Sequence, residues 1–209
     1  MTEGLRRIRK QTGNFLEDFR PGQVFRHKGG KTLTEGLFTT FTEFSMTSNP
    51  LAKNARYARA HGFAGLVCPP GLVMLVAFSQ TVEDVSENAR ANLEYLDMRF
   101  GSPLYVGDSV EVETKVLGVR SSSRQPNLGI VHVQSTARKN LGAADEAIAL
   151  TWQRKVQVYK RDEAAAAPGN QVPSLPKALE PSAIGAACPK IDVAKYDFAL
   201  AGSAARFDV

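Results

Sequence analysis

An unbroken apolar run in the first half of the chain constrains the fold most. Every residue from 71 to 78 is apolar, and two prolines, Pro69 and Pro70, precede the run. Proline suits the first turn of a helix, because the N–H that it lacks would have no partner there. A helix that is apolar on all sides is a buried one. We therefore predict a central helix that the rest of the domain covers.

The covering layer is predicted from the second half of the chain. Residues 109–119 alternate between apolar and charged side chains, a period of two that is typical of a half-buried strand. Residues 129–140 and 147–160 continue this alternation, and residues 92–108 predict a strand followed by a turn. The predicted inward positions are Val110, Val112, Thr114, Val116, Val131, Val133, Ser135, Ala137, Ile148, Leu150, Trp152, Val156 and Val158. This order predicts an α+β fold with an antiparallel sheet curled around one helix.

The segments on either side of this fold are predicted to be less regular. A short strand is expected within residues 13–30, a helix with Thr34 as its N-cap over residues 31–45, and a short polar helix within residues 49–62. After Arg161 the composition becomes rich in Ala and Pro, as in linkers. We assign residues 1–161 to one domain and residues 162–209 to a linker and a C-terminal docking tail.

Composition narrows the function classes. The chain of 209 residues is 43% hydrophobic and 22% charged, as in ordinary globular proteins. Its net charge of +5 includes a cluster, Arg154, Lys155, Lys160 and Arg161, which we interpret as solvated surface or as attraction for an anionic partner such as coenzyme A. No motif typical of nucleic-acid binding accompanies these charges.

Three features indicate a cytoplasmic protein. Cys68 and Cys188 are too few for a disulfide scaffold and lie apart from histidines at metal-ligand spacing, so we expect free thiols and no metal. The basic N-terminus is not followed by an apolar core, as a secretory signal would be. The apolar stretch at residues 62–78 is too short and too broken by proline to span a bilayer.

Several of these segments together resemble a known family. The helix that opens at Cys68-Pro69-Pro70-Gly71 and the later pattern of Phe100, Pro103, Gly107 and Asp108 resemble the MaoC-like hotdog hydratases. Residues 13–162 are more closely similar to the N-terminal half of the mesaconyl-CoA hydratases, also called β-methylmalyl-CoA dehydratases. Those proteins are tandems of two hotdog halves, and residues 194–209 resemble the junction before the second half. The resemblance implies a hotdog fold and hydration or dehydration of an enoyl-CoA thioester.

The resemblance also identifies the candidate site. The family's motif is Asp-x-Asn-Pro-x-His, in which Asp and His polarise the water that adds to the double bond. Here Thr47 replaces Asp and Ala52 replaces His, while Asn49 and Pro50 are kept. Neither Thr nor Ala is an acid or base near neutral pH. The family's second component, a backbone N–H that stabilises the thioester oxygen, would be that of Gly71.

Other residues near the motif are weaker candidates. We expect Pro70, Leu72, Cys68 and His61 as substrate-binding residues. The thiol of Cys68 is either packed or activated by the helix start. His61, His27 and His132 are possible substitutes for the missing base, although a surface or internally bonded histidine is the simpler interpretation. Glu35 and Glu43 are interpreted as solvated helix carboxylates.

Two functions follow as hypotheses. In the first, the chain is half of a hydro-lyase for a short branched or dicarboxylic enoyl-CoA, and a partner hotdog domain supplies the acid–base pair. In the second, it is a non-catalytic acyl-CoA-binding or structural subunit. In both we expect a homo- or hetero-oligomer, because an open sheet leaves an edge strand to be covered. No cofactor besides the acyl-CoA substrate, no nucleic acid and no membrane is expected.

Overall fold

A computed structural model describes residues 12–169 and 171–172 of the chain. The strand and helix predictions all fall within these residues. Cys188 and most of the predicted tail, residues 173–209, lie outside them, so the predictions for that region are not tested here.

Six antiparallel strands form one sheet. They are β1 (Val24–Arg26), β2 (Lys31–Thr32), β3 (Ala89–Phe100), β4 (Ser109–Ser121), β5 (Leu128–Lys139) and β6 (Ala147–Tyr159). Their order is β1-β4-β5-β6-β3, and β2 pairs with β4 beyond the end of β1. The long strands β4, β5 and β6 follow one another as hairpins, so the predicted meander is confirmed. The strand β3 forms one edge and pairs only with β6 among the described strands.

The helices lie between β2 and β3 in the chain. They are α1 (Glu35–Phe44), α2 (Pro50–Lys53), α3 (Ala55–Ala60) and α4 (Pro70–Gln80), and a single π-helical turn, Val82–Ser86, follows α4. Thr34 is the N-cap of α1, as predicted, since its hydroxyl accepts the N–H of Leu37 at 3.3 Å. The prediction of a helix from residue 31 was wrong by four residues, because Lys31–Thr32 pair with β4.

The interior consists of two apolar clusters. The first surrounds α4, where Leu72, Val73 and Val76 pack against inward residues of β4 and β6 such as Val110 and Leu150. The second includes a residue of the π-helical turn and consists of Leu16, Phe19, Val85, Val116, Val119, Val131, Val133, Val156 and Val158. The alternation in the sequence therefore predicted the buried face of β4 correctly.

A row of buried polar side chains lies between the two clusters. Thr114, on β4, and Ser135, on β5, are directly paired and fully buried. Arg154, on β6, and His27, just after β1, are buried at neighbouring positions. The sequence pattern predicted that Thr114 and Ser135 are buried, but it did not predict the burial of Arg154.

Three predictions about burial were wrong. Helix α4 is not covered on all sides, since Leu75 is 54% exposed. Ile148 is 41% exposed, because a bulge between the pairs Ala137–Leu150 and Arg138–Ile148 shifts the register of β6. Arg154 and Lys160 are buried rather than part of a solvated basic surface.

None of the helices in the described part of the chain is both long and apolar enough to cross a membrane.

Candidate active site

The start of α4 presents one unbonded backbone donor. Pro69 is the N-cap and Pro70 has no N–H, while the N–H groups of Leu72 and Val73 both bond to the carbonyl of Pro69, at 2.9 and 3.0 Å. The N–H of Gly71 has no acceptor among the described residues, and Gly71 is exposed. A single free N–H at the positive end of an 11-residue helix is suited to stabilising a thioester oxygen.

Glycine fits this position because α1 passes close to it. A Cβ atom built at Gly71 would lie 3.0 Å from Cζ of Phe41. Of its predicted neighbours, Pro70 is exposed beside the free N–H, whereas Leu72 is fully buried and points into the first cluster. A ligand at the helix start would therefore contact Pro70 and the backbone of Gly71 rather than the side chain of Leu72.

The degenerate motif forms the turn into α2. The side chain of Asn49 caps this helix by accepting the N–H of Leu51 at 3.0 Å. The hydroxyl of Thr47 lies 2.7 Å from that of Ser45. Since the Ser45 hydroxyl donates to the carbonyl of Phe41 at 2.7 Å, the Thr47 hydroxyl donates to Ser45. The side-chain oxygen of Asn49 and the hydroxyl proton of Thr47 are therefore both used in local hydrogen bonds.

Ala52 occupies a closed position. It is 4% exposed, at the centre of the four-residue helix α2. The methyl side chain of Ala52 is therefore enclosed by its surroundings and is not presented to solvent.

Backbone hydrogen bonds bring the motif and the helix start together. The N–H of Val67 bonds to the carbonyl of Leu51 at 2.9 Å, and the N–H of Cys68 bonds to the carbonyl of Leu104 at 2.8 Å. The segment that leads into α4 is thus held between α2 and the loop after β3. The segment that contains Thr47 and Ala52 and the start of α4 are therefore held in one region of the fold.

Cys68 is a packed residue. Its side chain is 3% exposed and belongs to the cluster around α4. Burial, with a smaller contribution from the negative charge of Asp108, raises the pKa of its thiol to about 12. Of the two interpretations, packing agrees with this burial and activation of the thiol does not, and the burial also argues against a substrate-contacting role.

Two of the three histidines have local partners that account for them. His61 ends α3, where its Nδ1 lies 2.8 Å from the carbonyl of Tyr57 and its ring stacks on that of Tyr57 at 4.0 Å. His132 lies on the outer face of β5 and is buried, with its Nε2 3.0 Å from Oε1 of Gln153 and its Nδ1 without a partner among the described residues, and burial lowers its pKa. Each thus matches the simpler interpretation, and the use of His61 as a ligand-binding residue stays a prediction.

The third histidine belongs to a buried chain of polar groups that the sequence did not reveal. Nδ1 of His27 lies 2.7 Å from the carboxylate of Asp84, and its Nε2 lies 2.7 Å from the hydroxyl of Thr114. That hydroxyl is 2.7 Å from the hydroxyl of Ser135. The order carboxylate, imidazole, hydroxyl is that of a hydrolytic triad, but Thr114 is fully buried and out of reach of a substrate. We interpret this hydrogen-bonded series of side chains as structural.

Arg154 is the second buried group that sequence analysis missed. Its guanidinium donates to the hydroxyl of Thr81 at 2.9 Å and to the side-chain oxygen of Asn92 at 3.0 Å, and it lies 4.6 Å from the ring of Phe78. Burial lowers its pKa to about 10. Its partners belong to the end of α4 and to β3, so it joins these two elements to β6.

The two helix glutamates singled out in the sequence, Glu35 and Glu43, are surface carboxylates. Glu43 pairs with Lys53 at 3.3 Å, and Glu35 is exposed in the first turn of α1. Within the part of the chain that the structure describes, no three His, Cys, Asp or Glu side chains are grouped as a metal site would require.

Comparison with known proteins gives consistent similarities. The family described as mesaconyl-CoA hydratase matches residues 3–191. A β-methylmalyl-CoA dehydratase of Chloroflexus aurantiacus is 35% identical over 91% of this chain and 53% of its own length. A solved structure of a MaoC domain protein from Chloroflexus aurantiacus is 36% identical, with a TM-score of 0.74 over 81% of this chain and 47% of its own. A Mycobacterium tuberculosis protein with a double hotdog fold is 26% identical, with a TM-score of 0.68 over 86% and 57%.

These similarities confirm the predicted fold. The antiparallel sheet packed on α4 is a hotdog fold, in the α+β class. The chain spans about half the length of the curated relative that it matches.

Proposed function

The chain belongs to the mesaconyl-CoA hydratase family, and from this premise we propose that it is half of a hydro-lyase. It binds a short branched or dicarboxylic enoyl-CoA thioester, such as mesaconyl-CoA, at the start of α4. A second hotdog domain supplies the acid and base that hydrate the double bond or remove water in the reverse direction.

One observation carries this proposal. The N–H of Gly71 is exposed and unbonded within the described residues, while Thr47 and Ala52 stand where the acid–base pair would be. A donor at this point stabilises the negative charge that develops on the thioester oxygen in the transition state. The water-activating groups, which the half lacks, must then come from elsewhere.

The surface of the chain supports a partner of the same fold. The strand β3 is a sheet edge 12 residues long, and long unpaired edges are normally covered by another strand. Next to it, Leu75 on α4 is 54% exposed, and Phe78 contacts Tyr95 of β3 with ring centroids 6.3 Å apart. The large exposed apolar side chains of β3 are Leu93, Tyr95, Met98 and Phe100. We call β3 together with the outer side of α4 the docking face.

The occupant of the docking face is proposed to be a second hotdog domain that carries the intact Asp and His, because another copy of this chain would again have Thr47 and Ala52 at those positions. The double hotdog fold of the Mycobacterium tuberculosis protein supports such a pairing. A cytoplasmic location and the use of no cofactor besides the acyl-CoA substrate remain parts of this proposal.

The test is reconstitution of activity. The full chain is mixed with a hotdog hydratase domain that retains Asp and His, and hydration of mesaconyl-CoA and crotonyl-CoA is followed. We expect activity in the mixture that exceeds that of either protein alone. Gly71→Pro, which removes the N–H in a helix turn that tolerates proline, should lower kcat by about 10²-fold or more. Gly71→Ala is the matched control, since it adds a Cβ and keeps the N–H.

Two outcomes contradict the proposal. If no mixture hydrates either thioester, although calorimetry detects acyl-CoA binding, the chain is the non-catalytic acyl-CoA-binding subunit instead. If Gly71→Pro and Gly71→Ala lower kcat equally while both remain folded by circular dichroism, the N–H of Gly71 has no part in the reaction.

A further inference from the structure

A cationic cleft lies on the outer face of the sheet, away from the candidate active site. Arg120, Ile130 and Gln157 are paired side by side across β4, β5 and β6. Their neighbours in sequence, such as Val131 and Val156, point inward into the second apolar cluster, so these three point outward. The β4–β5 loop and the first residues of β3 complete a cleft of about 570 Å³.

All the charged side chains that line this cleft are positive. Three arginines, Arg90, Arg120 and Arg124, line it, and no Asp or Glu does. Among the described residues, none of these arginines forms an ion pair within 4.0 Å. Three uncompensated guanidinium groups around one cleft repel each other, and an anion in the cleft would relieve that repulsion.

The remaining lining groups are hydrogen-bonding and ordered. Ser122, Ser123 and Gln125 line the cleft from the loop. The hydroxyl of Ser122 accepts the backbone N–H groups of Arg124 and Gln125, both at 3.3 Å, which holds the loop in place. Gln125 in turn accepts a hydrogen bond from Arg90. The guanidinium of Arg90 and the hydroxyl of Ser122 are therefore held in place, and both groups can donate hydrogen bonds to phosphate oxygens.

The size of the cleft indicates more than a single phosphate ion. Pockets for small organic molecules usually measure about 300–1,000 Å³, and this cleft falls within that range. Ala91 and Ile130 provide apolar surface beside the arginines. Both the charged and the apolar parts of a phosphorylated nucleotide would therefore find matching surface.

The cleft is distinct from the start of α4. Val110, on β4, packs in the cluster around α4, and Arg120 follows ten residues later on the same strand. Ten residues of strand extend about 33 Å. The cleft and the apolar cluster around α4 therefore lie toward opposite ends of the sheet.

We propose that Arg90, Arg120 and Arg124 form a binding site for the phosphate groups of a nucleotide-type small molecule. Coenzyme A, which carries an adenosine 3′,5′-bisphosphate moiety, is the probe of choice; that choice rests on the proposed function, in which acyl-CoA is a ligand, and a molecule in this cleft is separate from the one whose thioester lies at Gly71. The phosphate site itself rests only on the charge, shape and ordered donors of the cleft.

The experiment is calorimetry on the full chain with four probes. Adenosine 3′,5′-bisphosphate and coenzyme A contain the 3′-phosphate, dephospho-coenzyme A lacks it, and inorganic phosphate lacks the nucleoside. The triple variant Arg90→Gln, Arg120→Gln and Arg124→Gln should bind the first two at least about tenfold more weakly, because charged hydrogen bonds to phosphate are lost. The matched control is Lys28→Gln, Lys31→Gln and Lys115→Gln, which removes the same charge from exposed lysines outside the cleft.

Each outcome decides the proposal. Weaker binding in the arginine variant alone, and weaker binding of dephospho-coenzyme A than of coenzyme A to the native chain, support it. Equal losses in both triple variants, or no binding of either bisphosphate probe to the native chain, overturn it. Inorganic phosphate binding as tightly as coenzyme A overturns the nucleotide assignment. Adenosine 3′,5′-bisphosphate has no thioester, so its binding is independent of whether the chain takes part in hydration.

Discussion

The thiol of Cys68 should be unreactive in the folded protein. Burial raises its pKa to about 12, whereas an exposed thiol ionises near pH 8.5 and the thiolate is the reactive form. With Cys188→Ser in place to remove the second thiol, a disulfide reagent at pH 8 should label the native chain very slowly and the denatured chain completely. Rapid stoichiometric labelling of the native chain would contradict the burial that we describe.

The same shift gives the direction of a pH effect on stability. The unfolded thiol ionises at lower pH than the folded one, so between these two pKa values the folded state holds more protons. The contribution of Cys68 is therefore complete below the unfolded pKa and is lost as the pH rises toward about 12. Cys68→Ala should reduce the alkaline loss of stability, measured by denaturant unfolding at pH 8 and pH 10.

Arg154 should matter more for stability than any other arginine on β6 or its neighbours. Arg154→Ala removes a buried side chain and leaves the polar groups of Thr81 and Asn92 without their donor. A cavity and unsatisfied polar groups together cost about 3 kcal/mol of unfolding free energy. Arg154→Met fills the space and removes the buried charge, so it should cost less. Denaturant unfolding of both variants measures the difference.

Lys155→Ala is the matched control for Arg154. Lys155 is the next residue on β6, faces outward and pairs with Glu94 at 2.9 Å. Such surface pairs contribute about 1 kcal/mol or less. Equal losses from Arg154→Ala and Lys155→Ala would mean that the hydrogen bonds of Arg154 do not contribute to stability.

Residue identities alone could predict the candidate site only in part. The motif positions Thr47, Asn49 and Ala52 and the donor at Gly71 were identified only through the resemblance to the MaoC-like hydratases, and their roles stay predictions. The role of Arg154 was missed, since its position in a basic cluster, next to Lys155, favoured a solvated surface. Its burial depends on Thr81 and Asn92, which lie far away in sequence, and no local pattern reports such contacts.

At the scale of elements, hydrophobic periodicity was informative where the sheet is regular. The alternation in β4 predicted its buried face, because one side of that strand packs on the core throughout. The prediction for Ile148 was wrong because a bulge in β6 reverses the facing of the residues before it. Bulges arise from pairing between strands, so a single strand's pattern does not reveal them.

Helix α4 illustrates a different limit. Its residues are apolar on every side, and we interpreted this as complete burial. In the structure Leu72, Val73, Val76 and Ala77 are buried, whereas Leu75 is exposed. The sequence pattern indicates which side chains are apolar. It does not show whether they are buried inside the same chain or against a partner chain.

The exposed side of α4 and the edge strand β3 lead to a prediction about the whole molecule. If the docking face is covered by a second hotdog domain, charges placed on it should prevent association, because buried unpaired charges are costly. We expect the native chain, mixed with a hotdog domain that retains Asp and His, to form a heterodimer in light scattering at micromolar concentration. The double variant Leu75→Lys and Met98→Lys should have the mass of one chain. Leu141→Lys, which changes an exposed leucine of the β5–β6 loop, is the matched control and should remain dimeric. If the double variant still forms the dimer, the association surface lies elsewhere. If the native chain stays monomeric, the docking face binds no partner. Either result removes the structural support for the proposal that a partner hotdog completes this half.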